Sequence, residues 1–230
     1  KQKLFAFIIS VCASFQLLAQ NHEIGFKIKN YDNDTLIIGY YYGEKQLVKD
    51  TVFATKKGDF LFKSETALEP GMYIALLKPD NSFIQFIVGD NEKKYEVSFD
   101  KNDIYAVQFK NSKENERFYS YVDYLKEKNK EAQPLRDTLT KWKEAGKDDP
   151  KLKAQLDQLD ADGTLLKKKI MSESPGTFTA RLIEANIDVT IPEFEGTEDE
   201  VKMKKYRYYK THYFDNIHWD DPALIRTPYI

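Results

Sequence analysis

Three residues near the C-terminal end of this chain are of types that bind metal ions. His212, Asp215 and His218 supply two imidazole rings and a carboxylate, which are ligands that Zn²⁺ accepts. Their spacing matches neither a pair of histidines on one helical face nor a known zinc signature. We therefore expect surface or capping roles for them and predict no bound metal and no other cofactor. A metal-dependent hydrolase that uses these three residues is kept as one functional alternative.

Two groups of tyrosines could form a binding surface. The first contains Tyr40 and Tyr42, and the second contains Tyr206, Tyr209 and Tyr213. A tyrosine ring offers an apolar face and a hydroxyl, so such a surface suits peptides or sugars. In a strand, however, Tyr40 and Tyr42 face the side opposite to Tyr41, so the tyrosines on at least one of the two sides are expected in the core or between domains. Packing is the role we expect for most of these rings, with ligand binding as the alternative.

The single cysteine, Cys12, limits the redox chemistry of the chain. It lies within Lys1 to Gln20, where two lysines precede an apolar stretch from Leu4 to Leu18 and a small residue, Ala19, follows. This order is typical of a secretory signal peptide, and the apolar stretch is short for a membrane span. We predict cleavage close to Ala19, export to the periplasm or cell envelope, and no stable membrane span afterwards. A lipid-modified N-terminus at Cys12 is the alternative.

The composition of the chain argues against some classes of partner and of reaction. The chain carries 37 acidic and 35 basic residues and a formal net charge of −2, which argues against a nucleic-acid partner. Its 15 tyrosines and 15 phenylalanines argue against disorder. No Gly-rich phosphate loop, Ser-His-Asp arrangement or pair of catalytic carboxylates can be placed on matching elements. We therefore predict no catalytic residue and no enzymatic activity for this chain.

The spacing of apolar residues changes near Lys110, and with it the predicted secondary structure changes from strands to helices. Before it, short apolar runs alternate with polar residues, as in Ile24 to Ile28, Leu36 to Tyr42 and Tyr95 to Phe99. Turn residues such as Lys57-Gly58-Asp59 separate the runs at nearly regular intervals. This pattern predicts an antiparallel β-sandwich or barrel of seven or eight short strands over residues 21–110, after a signal peptide over residues 1–20.

After Lys110 the apolar period becomes helical. Five helices are predicted over residues 111–230, the last of them opened by a capping box of Thr197 and Glu200. The second and third helices are polar on most faces and should form an exposed hairpin. Asp221-Pro222 is expected to open a further helix. The chain ends soon after it, so we expect a truncated helical domain and an α+β protein overall.

Several short segments resemble a known family. The strongest are Gly58-Asp59-Phe60-Leu61-Phe62, Asn115-Glu116-Arg117-Phe118 and a segment that ends in Arg226-Thr227-Pro228. The chain resembles the N-terminal region of Bacteroidetes-type thioredoxin-like envelope proteins. The resemblance implies a β-sandwich domain of unknown function and a helical domain, followed in that family by a thioredoxin domain with the reactive Cys-x-x-Cys. That third domain is absent from this sequence.

The absence of that motif shapes the functional prediction. Thiol-disulfide exchange proceeds through a thiolate, and the one cysteine of this chain lies in the predicted leader. We therefore predict a noncatalytic accessory or interaction module of an exported thioredoxin-like protein. Its partner would be another protein or its own missing thioredoxin domain. A stand-alone envelope protein that binds a peptide or glycan in an aromatic groove is the main alternative.

Overall fold

The structure is a computed structural model that describes residues 22–229. The predicted leader, with Cys12, lies outside the described residues. Eight strands precede four helices, as the predicted α+β class requires. The strands are β1 (His22–Lys29), β2 (Thr35–Tyr42), β3 (Lys45–Lys56), β4 (Asp59–Ser64), β5 (Gly71–Leu77), β6 (Phe83–Val88), β7 (Lys94–Asp100) and β8 (Asp103–Lys110). The helices are α1 (Lys113–Glu144), α2 (Pro150–Glu173), α3 (Phe178–Ala185) and α4 (Glu198–His212).

The eight strands form one nearly closed, barrel-like sheet in the order β6-β5-β2-β3-β4-β1-β7-β8. The two edge strands, β6 and β8, approach each other. Neighbouring strands are antiparallel with one exception, because β1 and β7 run parallel with Ile24 opposite Tyr95. The predicted barrel is confirmed, and the parallel pair is the departure from the expected all-antiparallel pattern. Alternation of apolar residues marks a strand but does not specify its direction.

The interior of the barrel is filled by aromatic and aliphatic side chains from alternate strand positions. Phe26 and Phe86 are fully buried, and their ring centroids lie 5.5 Å apart. Tyr73 packs against Phe86 at 5.8 Å. The buried Tyr95 hydroxyl donates to the carbonyl oxygen of Ile87 at 3.0 Å, so burial leaves this polar group bonded.

A second apolar layer covers the outside of β5 and β6. Met72 and Ile87 point away from the barrel interior and pack against Phe118 of α1 and against Phe178 and Leu182 of α3. Both faces of these two strands are therefore buried. The outer layer attaches the helices to the barrel, so that the position of α3 depends on the sheet.

The first turns of α1 complete the exposed edge of β6. The Asn115 side chain accepts a hydrogen bond from the Ile87 amide at 2.7 Å and donates one to the Ile87 carbonyl at 2.8 Å. It thereby takes the place of a neighbouring strand. One turn later the Tyr119 hydroxyl donates to the Gln85 carbonyl at 2.7 Å, and its ring lies 4.9 Å from Phe109 of β8. The helix therefore bridges the gap between the two edge strands.

The first two predicted helices are one continuous helix. α1 runs for 32 residues and contains Pro134, which lacks a backbone donor but does not end the helix here. α2 begins where predicted, because the Asp149 side chain accepts from the amides of Lys151 and Leu152 and Pro150 occupies the first turn. The outer part of α1 packs against α2 as the expected hairpin, with polar faces exposed.

The C-terminal segment follows the barrel surface. The Asp221 side chain accepts from the Ala223 amide at 2.9 Å, but the turn that follows is a short 3₁₀ helix, Leu224–Arg226, so the predicted α-helix here is wrong. Two contacts hold this segment on the barrel. The Ile225 carbonyl accepts a hydrogen bond from the Gly43 amide at 2.6 Å, and the buried Arg226 forms an ion pair with Glu69. Within residues 22–229, no helix has the length and apolar character of a membrane span.

Candidate functional site

An exposed aromatic surface lies on α4 and the turns that follow it. The predicted capping box is present, because the Thr197 hydroxyl accepts from the Glu200 amide and the Glu200 side chain accepts from the Thr197 amide. From the second half of α4 onward, four rings follow one another edge to face. Their centroid separations are 5.3 Å for Tyr209–Tyr213, 4.8 Å for Tyr213–Phe214 and 5.4 Å for Phe214–Trp219.

These four rings form one wall of a groove of about 480 Å³. Residues 185–189, which begin at the last residue of α3, also line the groove and are called its far wall here, and Tyr229 is a further lining residue. The two walls are joined, because the Asn216 side chain donates to the Ile187 carbonyl at 2.9 Å. Lys167 of α2 donates to the Asn186 carbonyl at 2.9 Å. The groove is thus held by three helices rather than by a single loop.

The rings of the groove are exposed to an extent that is unusual for side chains of this size. Trp219 is 67% exposed, and Tyr213 and Phe214 are each about half exposed. Contiguous apolar surface of this kind marks interaction sites in folded proteins. The groove is therefore the candidate binding surface of the described residues.

The structure brings together only part of the predicted tyrosine surface. Tyr209 and Tyr213 line the groove, and Tyr206 is exposed one turn before Tyr209 in α4. Tyr40 packs against Tyr73 at 5.9 Å on the side of the barrel core, and Tyr42 lies at the exposed end of β2. Neither of these two lines the groove; Tyr40 packs against the core, whereas Tyr42 is exposed.

Sequence reasoning missed the remainder of the groove. Phe214 and Trp219 are separated from α4 by turns, and residues 185–189 follow a different helix. One signal was available, because Phe214 directly follows Tyr213 in an aromatic run. No local pattern indicates that residues 185–189 face that run.

The three residues considered as metal ligands do not converge. His212 Nδ1 lies 2.6 Å from Asp215 Oδ2, and the His212 ring stacks on Tyr208 at 4.1 Å. His218 Nε2 lies 3.4 Å from a different carboxylate, that of Glu184. Across residues 22–229, no group of three or more His, Cys, Asp or Glu side chains is arranged to hold a metal ion. These contacts give His212 and His218 separate surface roles.

A buried carboxyl group connects the barrel to the helix that carries the far wall. Glu114 is 5% exposed, and its Oε1 accepts from the Thr179 amide in the first turn of α3 at 2.7 Å. Its other oxygen lies against Gly89, where a Cβ atom would overlap it. Burial raises the pKa of Glu114, and the nearby carboxylates of Glu92 and Asp90 raise it further against the opposing effect of the Thr179 bond. Glu114 thus positions α3 while carrying an unfavourable charge.

We expect Glu114→Gln to remove part of the pH dependence of stability. Because the pKa of Glu114 is higher in the folded protein, the unfolded chain loses this proton first as pH rises, and the free energy of unfolding falls. Glutamine keeps an acceptor for the Thr179 amide. The variant should therefore be more stable than the unmodified chain by about 1 kcal/mol near pH 7, with a smaller gain near pH 4.

Urea unfolding at both pH values measures this difference. Glu116→Gln, at an exposed position in the same turn of α1, is the matched control for the change in net charge. Equal pH dependence of the unmodified chain and Glu114→Gln would contradict the assignment.

Comparison with known protein families gives one match, over the N-terminal part of the chain. Residues 22–118 match the family described as Domain of unknown function (DUF4369). No curated protein and no solved structure matches the chain. The matched segment spans all eight strands and ends inside α1 at Phe118. It therefore includes Asn115, which completes the edge of β6, and Phe118, which packs on the outer face of the sheet.

Proposed function

We propose that this chain is the noncatalytic recognition module of an exported thioredoxin-like protein, and that its aromatic groove holds a thioredoxin-fold domain. The exposed groove is the observation that carries this proposal. A DUF4369 barrel is compatible with an accessory module, and the sequence resemblance described above supports the choice of partner. In this role the barrel is a rigid support, and the helical layer presents the groove.

The composition of the groove suits a protein partner. Tyrosine and tryptophan are enriched at protein interfaces and among the residues that contribute most to binding, because they bury a large area at a small cost in side-chain entropy. Trp219 and Tyr213 expose such area on walls that hydrogen bonds already hold together. A preorganised site of this kind loses little free energy to ordering when it binds.

The relative orientation of the rings favours protein over glycan. A sugar stacks with its flat face parallel to a ring, so a linear glycan needs successive rings that face the same direction. Here the interplanar angles are 69° for Tyr209–Tyr213, 84° for Tyr213–Phe214 and 65° for Phe214–Trp219. The rings form a stepped ridge with gaps between them, which accepts side chains better than it accepts a flat chain of sugars.

The chemical step would belong to the partner. The only cysteine of the chain is Cys12, which the predicted cleavage removes. Because disulfide exchange needs a thiolate, the contribution of this chain would be to position a thioredoxin-fold domain or its client.

Binding of the purified chain without its leader to a thioredoxin-fold domain of the resembled family tests the proposal. We expect Trp219→Ala to weaken binding about tenfold, as is usual for an exposed aromatic residue at the centre of an interface. Phe53→Ala is the matched control, because Phe53 is 70% exposed but lies on β3, away from the groove. Calorimetry or surface plasmon resonance measures both.

Two results would contradict the proposal. One is no binding by the unmodified chain, or an equal loss on Phe53→Ala and Trp219→Ala. The other is reduction of insulin disulfides by the chain alone, because that activity would make it catalytic.

A further inference from the structure

α4 is the helix with the least support from the rest of the protein. None of its 15 residues is buried. Its inner side is half-buried at Val201, Tyr208 and His212, and Tyr208 contacts Phe194 of the preceding segment at a centroid distance of 6.0 Å. A helix of this length is only marginally stable alone in water. Its outward side is therefore both free for contact and in a position to gain stability from it.

The positive charge of α4 is concentrated after its first turn, which carries Glu198, Asp199 and Glu200. Between residues 201 and 214 there are five basic residues and no acidic residue, although the chain has a formal net charge of −2. Lys204 donates to the Glu195 carbonyl at 2.7 Å.

The other four cations of α4 take part in none of the ion pairs found within residues 22–229. They are Lys202, Lys205, Arg207 and Lys210. In α1, by contrast, Lys130 pairs with Glu127 at 2.7 Å. The positive charge of α4 is thus left for a partner.

Two of these cations share a face with the exposed tyrosines. Lys202, Tyr206, Tyr209, Lys210 and Tyr213 recur at intervals of three, four or one residues, so they lie along one side of the helix. We call this side the basic tyrosine face. It continues into the groove, because Tyr209 and Tyr213 belong to both.

We propose that the basic tyrosine face docks an acidic segment of a protein partner, with apolar side chains of that segment in the groove. The carboxylates of the segment would lie beside Lys202 and Lys210. They would avoid the far wall, which carries Asp188. This inference rests on the proposed function, in which the groove holds a protein, and it adds the charge of the partner surface.

A membrane surface is a poorer fit to the same residues. Helices that lie in a lipid interface bury a continuous face of Leu, Phe and Trp. The outward face of α4 carries tyrosines, which keep their hydroxyls solvated, and Met203 is the one aliphatic side chain near them. A concave groove of about 480 Å³ also accommodates protruding side chains rather than a flat bilayer.

The probe is a short fluorescent peptide that is rich in glutamate and has one central phenylalanine. It is titrated with the full chain from which the predicted leader has been removed, and binding is followed by fluorescence anisotropy. A peptide with lysine in place of glutamate is its counterpart. We expect the acidic peptide to bind and its affinity to fall as salt is raised. Lys202→Gln with Lys210→Gln should weaken binding about tenfold and flatten the salt dependence.

The matched control is Lys151→Gln with Lys153→Gln, which changes the net charge equally on exposed positions of α2. Circular dichroism checks that each double variant keeps its helix content. Equal binding of both peptides, no binding of the acidic peptide, equal losses in the two double variants, or preferential binding to phosphatidylglycerol vesicles would each overturn the inference.

Binding measurements with a thioredoxin-fold domain distinguish a failure of this inference from a failure of the proposed function. If the domain binds but neither salt nor Lys202→Gln with Lys210→Gln changes its affinity, the inference fails and the proposed function stands. If the acidic peptide binds as expected and the domain does not bind, the inference stands for another acidic protein and the proposed partner is wrong.

Discussion

Asn115→Ala is expected to lower the free energy of unfolding by about 2–4 kcal/mol. Asn115 is fully buried, and its side chain satisfies both the amide and the carbonyl of Ile87 at the edge of β6. Alanine leaves the Ile87 amide buried without a partner, which costs about 1–3 kcal/mol. It also removes one of the two donors to the Ile87 carbonyl, which keeps its bond from the Tyr95 hydroxyl at 3.0 Å. The Asn115 amide also donates to Ser112 at 2.8 Å, a contact that alanine removes as well.

Urea unfolding followed by circular dichroism and tryptophan fluorescence measures the loss. Asn129→Ala is the matched control on the same helix, because Asn129 is exposed and accepts one long hydrogen bond of 3.3 Å from Arg136. It should change stability by less than about 0.5 kcal/mol. Asn115→Asp tests the donor separately, since a carboxylate still accepts from the Ile87 amide but faces the Ile87 carbonyl without a proton. Similar effects of Asn115→Ala and Asn129→Ala would refute the role of the side chain as a substitute strand.

Phe178→Ala is expected to cost about 3–5 kcal/mol, the usual range for truncating a buried phenylalanine. Phe178 is fully buried between the outer face of the sheet and the helical layer, where it packs with Met72 and Ile87. Alanine leaves a cavity at the base of α3. Because α3 leads directly into residues 185–189, the far wall of the groove should loosen with it.

Two measurements test the loss of stability and the loosening of the far wall separately. Urea unfolding gives the stability loss, with Phe53→Ala on the exposed side of β3 as the control that should stay within about 0.5 kcal/mol. Hydrogen exchange of residues 178–189 reports the wall directly and should accelerate in Phe178→Ala. A loss below about 1 kcal/mol, or unchanged exchange in that segment, would show that α3 is held by other contacts.

The alternating pattern predicted some strands better than others for a physical reason. Strands with one buried face, such as β1 and β7, alternate clearly. β5 is buried on both faces, because the helical layer covers its outer side, and its residues are apolar almost throughout. β3 is exposed along most of its length and shows no apolar face. The number of strands was therefore predictable from turn spacing, whereas two of the individual strands were not.

The N-terminal ends of α2 and α4 were predicted better than the number of helices was. Asp149 with Pro150 and Thr197 with Glu200 act where the sequence places them, because a cap bonds backbone groups only two or three residues away. The break predicted between the first two helices did not occur. A proline removes one donor, and the remaining turns of α1 and its contact with α2 keep the helix continuous.

The sequence by itself determined the α+β class, the change from strands to helices near residue 110, and the caps of α2 and α4. These features depend on periodicity and on contacts between near neighbours in the chain. Only the tertiary structure decided that β1 pairs in parallel with β7, that Asn115 completes β6, and that residues 185–189 face Trp219. Each of these joins segments that are distant along the chain, and the free energy that holds them comes from burial and hydrogen bonds that no local pattern encodes.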